Sequence, residues 1–353
     1  GPQTCGASGC DNISIGRSTG INITSGGNNV LIGRCAGISQ TTAFSNVLLG
    51  SCVGRSLTGS TNIGIGRLAL DGVITGTYNV AIGYRAGRSQ YSASLGVPDA
   101  TQNIAIGYDA GDTAIQGGQN QNIFLGFKAG DGLVQGVSTS TACKNNNDNI
   151  LIGSNTGDQS YVCGLYCRNV LIGDRAGNSS IGVGVGTDYV NNVLLGTLAG
   201  KSYAGTCNTF IGAYAGCSPS PRSTGIANIG IGISVQMPNR FGSNQLAIGQ
   251  TSQYWITGDE SFNVGIGTTI PTNAVTSGNT QKLAVGILTA HRVYAQVLSF
   301  TSGVGPNTSG QTTTAGTNIA IGDTFTGNTF NNAVNNYGNI SIGECAGRGL
   351  NNG

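Results

Sequence analysis

The residues with the most obvious chemical potential are a few acids that stand close together in the chain. Asp109 lies three residues before Asp112, Asp259 is followed directly by Glu260, and Asp174 stands alone. Paired carboxylates are the groups with which many enzymes cleave glycans. None of these acids recurs with a partner at a spacing that brings a second carboxylate onto a neighbouring structural unit. The 14 acids are scattered over 353 residues, and we interpret them as solvated turn residues.

Other catalytic chemistry is poorly supported. The chain has 1 histidine, His291, and no Ser-His-Asp context for nucleophilic hydrolysis. Glycine strings such as Gly64-Ile65-Gly66 are not followed by a predicted helix, so they do not form a dinucleotide-binding loop. We therefore expect neither enzyme activity nor a bound cofactor.

The 10 cysteines leave two interpretations open. Three pairs are close in sequence, namely Cys5 with Cys10, Cys163 with Cys167, and Cys207 with Cys217. Zinc would need a second spaced pair or a nearby histidine, and His291 lies in another region, so we expect no metal site. Disulfides or stacked buried thiols are favoured instead, and disulfides would place the protein outside a reducing cytosol.

These residues lie within a repeat that runs along nearly the whole chain. The stretch 29–37, Asn-Val-Leu-Ile-Gly-Arg-Cys-Ala-Gly, has the pattern Asn, three strand positions, Gly, two variable positions, a small residue and Gly. Weaker copies begin at Asn12, Asn228 and Asn263, and degenerate ones lie near Leu246 and Leu283. Clear copies begin at Asn29, Asn46, Asn62, Asn79, Asn103, Asn122, Asn149, Asn169, Asn192, Asn208, Asn318 and Asn339.

The repeat length predicts the architecture. The glycines that end the first five copies are 17, 17, 16 and 17 residues apart. Helical repeats need more than about thirty residues and propeller blades about forty, whereas this length suffices for one coil with short strands and tight turns. We therefore predict an all-β fold, a β-solenoid (β-roll) of about seventeen short coils with loop insertions.

Each position of the repeat has an expected role. Side chains alternate across a strand, and we predict that the first and third strand positions face the interior. The glycine allows positive φ or close backbone approach at a corner, the small residue packs beneath it, and the asparagine tolerates the left-handed region and hydrogen-bonds along a stack of its equivalents. The structural repeat positions that we single out are Asn29, Ile32, Gly33, Asn79, Ile82, Gly83, Asn169, Ile172 and Gly173.

The middle strand position is also apolar, as at Leu31, Leu48 and Leu171. A strand that is apolar on both sides is expected to be buried on both sides. We predict that this middle position faces outwards and is covered by a neighbouring copy of the chain. The alternative is that a loop of the same chain covers it.

Composition agrees with an ordered, uncharged surface. Charged residues make up 8% of the chain, against about 25% in typical globular proteins, and apolar residues make up 38% with strict periodicity. The net charge of +2 and the absence of clustered Lys and Arg argue against a nucleic-acid partner. No apolar run is long enough to insert into a membrane.

The rhythm of the repeat divides the chain. We predict an N-terminal lead-in (1–11), solenoid repeats (12–249), an irregular interruption with the only tryptophan (250–316) and resumed repeats (317–353). Insertions that lengthen the later coils are expected to form surface loops. Tyrosines among polar neighbours suit recognition surfaces, so the receptor-contact candidates are Tyr91, Tyr161, Tyr166 and Tyr189.

Runs such as 79–87 (Asn-Val-Ala-Ile-Gly-Tyr-Arg-Ala-Gly) and 208–216 resemble repeats of bacteriophage tail-fibre proteins, particularly those of marine cyanophages. They are also similar to head repeats of trimeric autotransporter adhesins. The segment 263–271, followed by Lys282, is similar to a segment of viral fibres that often precedes an endosialidase-type chaperone. Here about ten extra residues intervene and no such domain follows.

The resemblance implies a parallel homotrimeric fibre, located on a virion appendage or otherwise extracellular. Such a fibre would contact other virion proteins and attach to a glycan or protein receptor on a host cell. Two alternatives stay open: a tailspike that depolymerises glycans, and a bacterial surface adhesin or filament subunit.

Overall fold

The computed structural model describes residues 11–88, 101–112, 120–132, 147–157, 166–178, 189–217, 223–251, 253–267, 283–285, 319–321 and 340–342. Within these ranges every regular element is a β-strand, and no helix is long and apolar enough to cross a membrane. The predicted all-β class and β-solenoid architecture are thus confirmed. The chain forms two compact units, Gly1–Ile287 and Leu288–Gly353.

Most strands are three residues long, and each of the first eight belongs to one coil. These are β1 (Ile13–Ile15), β2 (Val30–Ile32), β3 (Val47–Leu49), β4 (Ile63–Ile65), β5 (Val80–Ile82), β6 (Ile104–Ile106), β7 (Ile123–Leu125) and β8 (Ile150–Ile152). There follow β9 (Tyr166–Cys167), β10 (Val170–Ile172), β11 (Tyr189–Val190), β12 (Val193–Leu195), β13 (Tyr203–Ala204), β14 (Thr209–Ile211), β15 (Ser223–Thr224) and β16 (Ile229–Ile231). The last are β17 (Leu246–Gln250), β18 (Gln253–Gly258), β19 (Val264–Ile266), β20 (Leu283–Val285), β21 (Ile319–Ile321) and β22 (Ile340–Ile342).

One 16-stranded sheet dominates the first unit, in the order β1 to β8, then β10, β12, β14, β16 to β20. Pairing is parallel and in register from β1 to β17. β18 then runs antiparallel to both β17 and β19. Two small parallel pairs, β9 with β11 and β13 with β15, form a second side of the later coils. In the second unit, β21 pairs in parallel with β22.

The path of one coil explains its length. After strand β2 the chain turns at Gly33, packs the small residue Ala36 into the interior, and returns to the next ladder residue, Asn46. Backbone hydrogen bonds join equivalent positions of successive coils, for example 2.8 Å from the Val30 amide to the Asn46 carbonyl. Ala36 is fully buried, as predicted for the small position. The coil therefore repeats because each turn is paired with the same turn in the next coil.

The corner glycine meets both requirements that were expected of it. Gly33 has φ of 130°, a region that L side chains rarely adopt. A Cβ atom at Gly33 would clash with the backbone carbonyl of Gly50, the equivalent glycine of the next coil. Close stacking of identical corners thus excludes any side chain at this position.

The interior is the reverse of what was predicted. Leu31, in the middle strand position, is fully buried, whereas Ile32, in the third, is 36% exposed. The physical reason is the buried asparagine that precedes each strand: the residue two positions later shares its side. The buried middle residues are Leu31, Leu48, Ala81, Ala105, Phe124, Leu151, Leu171, Leu194, Phe210 and Ala247.

The asparagines form a continuous internal ladder, as predicted. The Asn149 side-chain oxygen accepts hydrogen bonds from the backbone amide (3.1 Å) and the side-chain Nδ2 (3.0 Å) of Asn169. The Nδ2 of Asn149 donates to the Asn122 side chain and to the Tyr166 carbonyl, both at 2.9 Å. One prediction about this position was wrong, because the left-handed conformation belongs to the preceding residue, such as Asp148 with φ of 59°.

A second internal column contains one misfit. Its members in successive coils are Ile23, Gln40, Leu57 and Val73. Gln40 is fully buried, and neither its Nε2 nor its Oε1 has a hydrogen-bond partner. A buried amide without partners costs about 1–3 kcal/mol in folding free energy.

Candidate functional site: the apolar face of the sheet

The outer side of the 16-stranded sheet carries two columns of side chains, all apolar except that of Thr209, which we call the apolar face. The first column contains Ile13, Val30, Val47, Ile63, Val80, Ile104, Ile123, Ile150, Val170, Val193, Thr209, Ile229, Leu246 and Val264. The second contains Ile15, Ile32, Leu49, Ile65, Ile82, Ile106, Leu125, Ile152, Ile172, Leu195, Ile211, Ile231, Ile248, Ile256 and Ile266.

The second column continues through the reversal of chain direction. Strand β18 is antiparallel to its neighbours, yet its register places Ile256 between Ile248 and Ile266. In the first column the same reversal inserts Gly258 between Leu246 and Val264. A shift of one residue would have turned the side chains of β18 to the other side of the sheet. The register therefore preserves the outward position of the isoleucines.

The apolar face is open to solvent in the single chain. Ile15 is 58% exposed, Ile172 is 39% and Ile231 is 37%. The backbone amides and carbonyls beneath these side chains are paired within the sheet, and neither column contains a charged residue. Soluble monomers rarely expose apolar patches larger than a few hundred Å². With no charged group in either column, this face offers chiefly apolar contact to a binding partner.

Two rows of exposed or half-buried residues border the apolar face. We call the residue before each ladder asparagine the leading corner and the residue after each corner glycine the trailing corner. The trailing corners of three successive coils are stacked aromatic rings: Tyr84 and Tyr108 have centroids 5.0 Å apart, and Tyr108 and Phe127 5.4 Å apart. The Arg67 guanidinium lies 5.6 Å from the Tyr84 ring centroid. Because the faces of these rings stack against one another, the ring edges are turned to solvent.

The acids of the middle coils are not solvated, which corrects the interpretation from sequence. Asp109 and Asp112 are buried. Arg88 Nε lies 2.8 Å from Asp112 Oδ1, and Arg85 places a terminal nitrogen 2.6 Å from Asp112 Oδ2. Arg85 Nε also lies 3.0 Å from Asp109 Oδ1, an ion-pair distance without a hydrogen bond, because its N–H donates to Asp112 at 3.1 Å.

Burial sets the charge behaviour of this cluster. It raises the pKa of Asp109 above 3.8, opposed by the neighbouring Arg85 and reinforced by Asp112. Burial also raises the pKa of Asp71, opposed by Arg55 at 3.2 Å. Since the Asp112 carboxylate is held by Arg85 and Arg88, the cluster joins successive coils. Ion pairs of this kind specify which groups lie together even where their net stabilisation is small.

The tyrosines proposed as receptor contacts are divided by the structure. Tyr91 and Tyr161 lie outside the described residues. Tyr166 and Tyr189 were expected on exposed loops, which is wrong: their exposed fractions are 0% and 3%, and their rings stack inside the solenoid with centroids 5.2 Å apart. Burial raises the pKa of Tyr166 well above 10.0. Both residues belong to the short strands β9 and β11, which line the interior of widened coils.

The choice between disulfides and free thiols can be examined only at the cysteines that the structure describes. Cys35 and Cys52 occupy equivalent positions of adjacent coils, and both carry free thiols, as do Cys207 and Cys217. Within the described part of the chain, no cluster of three or more His, Cys, Asp or Glu could hold a metal ion. Cys5, Cys10 and Cys163 lie outside the described residues.

Comparison with known proteins found no relative. No family model matches the chain, and neither a curated protein nor a solved structure matches it.

Proposed function

We propose that this chain is the subunit of a structural fibre, a homotrimer of parallel chains that pack side by side through the apolar face. The observation that carries the proposal is the face itself, which is apolar on every coil of the sheet and free of charge. Because the interior is already filled by the middle strand residues and the asparagine ladder, the exposed columns have no role in the core of the single chain.

The energetics favour association. Complete burial of an isoleucine or valine side chain contributes about 1.5–3 kcal/mol. A residue such as Ile172, with 39% still exposed, would gain roughly 1 kcal/mol when a second surface covers it. Two such residues per coil, over about a dozen coils, give on the order of 20 kcal/mol. That gain exceeds the estimated cost of about 4–15 kcal/mol for lost rigid-body freedom on association.

The attachment role rests on the resemblance of the repeats to those of phage tail fibres. In that role the fibre would be an appendage of a virion, bound at one place to other virion proteins and elsewhere to a host glycan or protein. A rigid, in-register solenoid with 8% charged residues suits a load-bearing, extracellular part. The receptor surface is expected on the loop insertions, and Tyr91 and Tyr161 remain candidates for it.

A catalytic tailspike and a bacterial adhesin are the competing functions, and the geometry favours neither. The buried carboxylates Asp109 and Asp112 are occupied by Arg85 and Arg88.

The experiment combines binding and cleavage. Purified, fluorescently labelled protein is incubated with a panel of bacterial cells and with their isolated surface polysaccharides, and new reducing ends are measured in parallel. We expect retention on a subset of cells without release of reducing sugar. Release of reducing ends would establish a depolymerase, and loss of retention on every cell type would contradict the attachment role.

A further inference from the structure

The only tryptophan of the chain stands where the parallel repeat breaks, in the antiparallel hairpin of β17 and β18. The chain contains 1 tryptophan, Trp255, and it is 70% exposed. Among the large apolar residues of the described part of the chain, it is the most exposed. An indole so open to solvent contributes little to the core of the single chain, so its position calls for another role.

A β-bulge turns this indole outward. The pairing of β18 with β17 shifts by one residue here, and Trp255 is the extra residue between Tyr254 and Ile256. Tyr254 points into the solenoid, where its hydroxyl donates a 3.0 Å hydrogen bond to the Gln236 carbonyl. Ile256 belongs to the outward second column, and the exposure of Trp255 places it on that same outer side. Bulges often re-aim a side chain next to a functional site.

Two glutamines share the outer side with the indole. Gln253 stands two residues before Trp255 in β18, so it projects to the same side of the sheet, and it is exposed. Gln250, the trailing corner of its coil, lies directly opposite Gln253 and is also exposed. Opposite residues of an antiparallel pair have Cβ atoms about 4.5–5.5 Å apart. The hairpin therefore presents one indole and two side-chain amides together, at the trailing border of the apolar face.

The backbone beneath these groups is fixed. Strand β18 is paired with β17 on one side and with β19 on the other. The Gly267 amide donates a 3.0 Å hydrogen bond to the Trp255 carbonyl, and Tyr254 ties the inner side of the strand to the preceding coil. A site on such a backbone loses little conformational freedom when a ligand binds.

The three side chains select a class of ligand. An indole offers a broad apolar face, and an amide both donates and accepts hydrogen bonds. A sugar ring matches both, because it has C–H groups on its faces and hydroxyls around its rim. Residues 246–258, which form the hairpin, include no charged residue, so the hairpin provides nothing that would pair with an ionic group.

We propose that the outer side of the β17–β18 hairpin binds a neutral sugar residue of a polysaccharide. Trp255 stacks against the ring, and Gln250 and Gln253 form hydrogen bonds with its hydroxyls. The inference rests on the attachment function proposed above and gives it a ligand class and a site. This site lies on paired strands, in addition to the receptor surface expected on the loop insertions.

The single tryptophan provides the test, because its fluorescence reports on this site alone. The unlabelled full chain, in its assembled form, is titrated with the neutral hexasaccharides cellohexaose, mannohexaose and chitohexaose. Hexagalacturonate serves as the acidic control. We expect at least one neutral hexasaccharide to shift the emission of Trp255 to shorter wavelength and to reduce its quenching by acrylamide. Hexagalacturonate should do neither.

Variants assign the binding to the hairpin, with calorimetry as the common measurement. Gln253→Ala should weaken the affinity for the bound hexasaccharide by up to about tenfold, since it removes one or two hydrogen bonds. Trp255→Ala should leave no measurable binding, and Trp255→Tyr, which keeps an aromatic face, should retain part of it. The matched control is Phe241→Ala, because Phe241 is 55% exposed but lies in a turn outside the hairpin. It should bind as the unmodified protein does.

The remaining outcomes overturn the sugar site. They are the absence of a response to every neutral hexasaccharide, an equal affinity for hexagalacturonate, and binding that survives Trp255→Ala. An indole that is shielded from acrylamide before any sugar is added overturns it too, because Trp255 would then lie in a contact between chains. Retention on cells without sugar binding overturns this inference and leaves the attachment role intact. Sugar binding without retention on any cell type contradicts the attachment role alone.

Discussion

The apolar face can be tested by placing charge at its centre. Ile106 and Ile172 lie in strands β6 and β10 with exposed fractions of 38% and 39%. In the double variant Ile106→Asp and Ile172→Asp, each site loses about 1 kcal/mol of apolar burial. Each carboxylate that is forced out of water costs at least about 2 kcal/mol more. The two sites together weaken association by roughly 6 kcal/mol, which is about four powers of ten in the dissociation constant.

The assay is sedimentation velocity over a dilution series from micromolar to nanomolar protein, with circular dichroism on the same samples. We expect the variant to dissociate, or to aggregate, at concentrations where the unmodified protein stays assembled. Its strand signal should persist, because both side chains are outside the core of the single chain. The matched control is Ile21→Asp, since Ile21 is 61% exposed but lies in a turn outside the apolar face. Equal behaviour of the double variant and this control would refute the assignment of the interface.

Three further changes probe the interior and the corners. Gln40→Leu should raise the free energy of unfolding by about 1–3 kcal/mol, because the change removes two buried polar atoms without partners. Urea denaturation measures this free energy, and a destabilised variant would contradict the account. Gly83→Val should lower the melting temperature strongly, since Gly83 has φ of 135° and an added Cβ atom would meet the corner glycine of the next coil. Tyr84→Val should change the melting temperature little. A similar fall in melting temperature for both variants would show that the corner is misplaced. Asn149→Ala should lower the free energy of unfolding by several kcal/mol, because it breaks hydrogen bonds to both neighbouring coils. The surface control Asn22→Ala should lower it by less than about 1 kcal/mol. Thermal melting compares the two variants.

The fold was largely predictable because a short period leaves few architectures. The strand boundaries, the corner at Gly33, the buried Ala36 and the asparagine ladder all follow from residues that recur at fixed positions. The inner and outer sides of the strand were exchanged because both are apolar, so alternation alone cannot identify the interior. The size of the residue in the middle strand position was a usable signal, because it varies from glycine at Gly64 to phenylalanine at Phe124. In an interior, a small residue at one position can be offset by a larger one opposite, and Val53 and Leu70 fill the space beside Gly64.

The candidate site was less predictable, since it depends on contacts between coils of unequal length. Asp109 and Asp112 become buried partners of Arg85 and Arg88 only because a 24-residue coil, from Gly83 to Gly107, places them together. The same irregular spacing concealed that Tyr166 turns inward. Sequence separation alone does not reveal which residues of two coils share a level.

The mass of the intact particle in solution tests the central claim most directly. Multi-angle light scattering at micromolar concentration should give three times 35.5 kDa, and the value should persist on dilution, because the apolar face of each copy is covered by its neighbours. A stable, soluble particle of 35.5 kDa would contradict the account, since the apolar columns would then tolerate water without a partner.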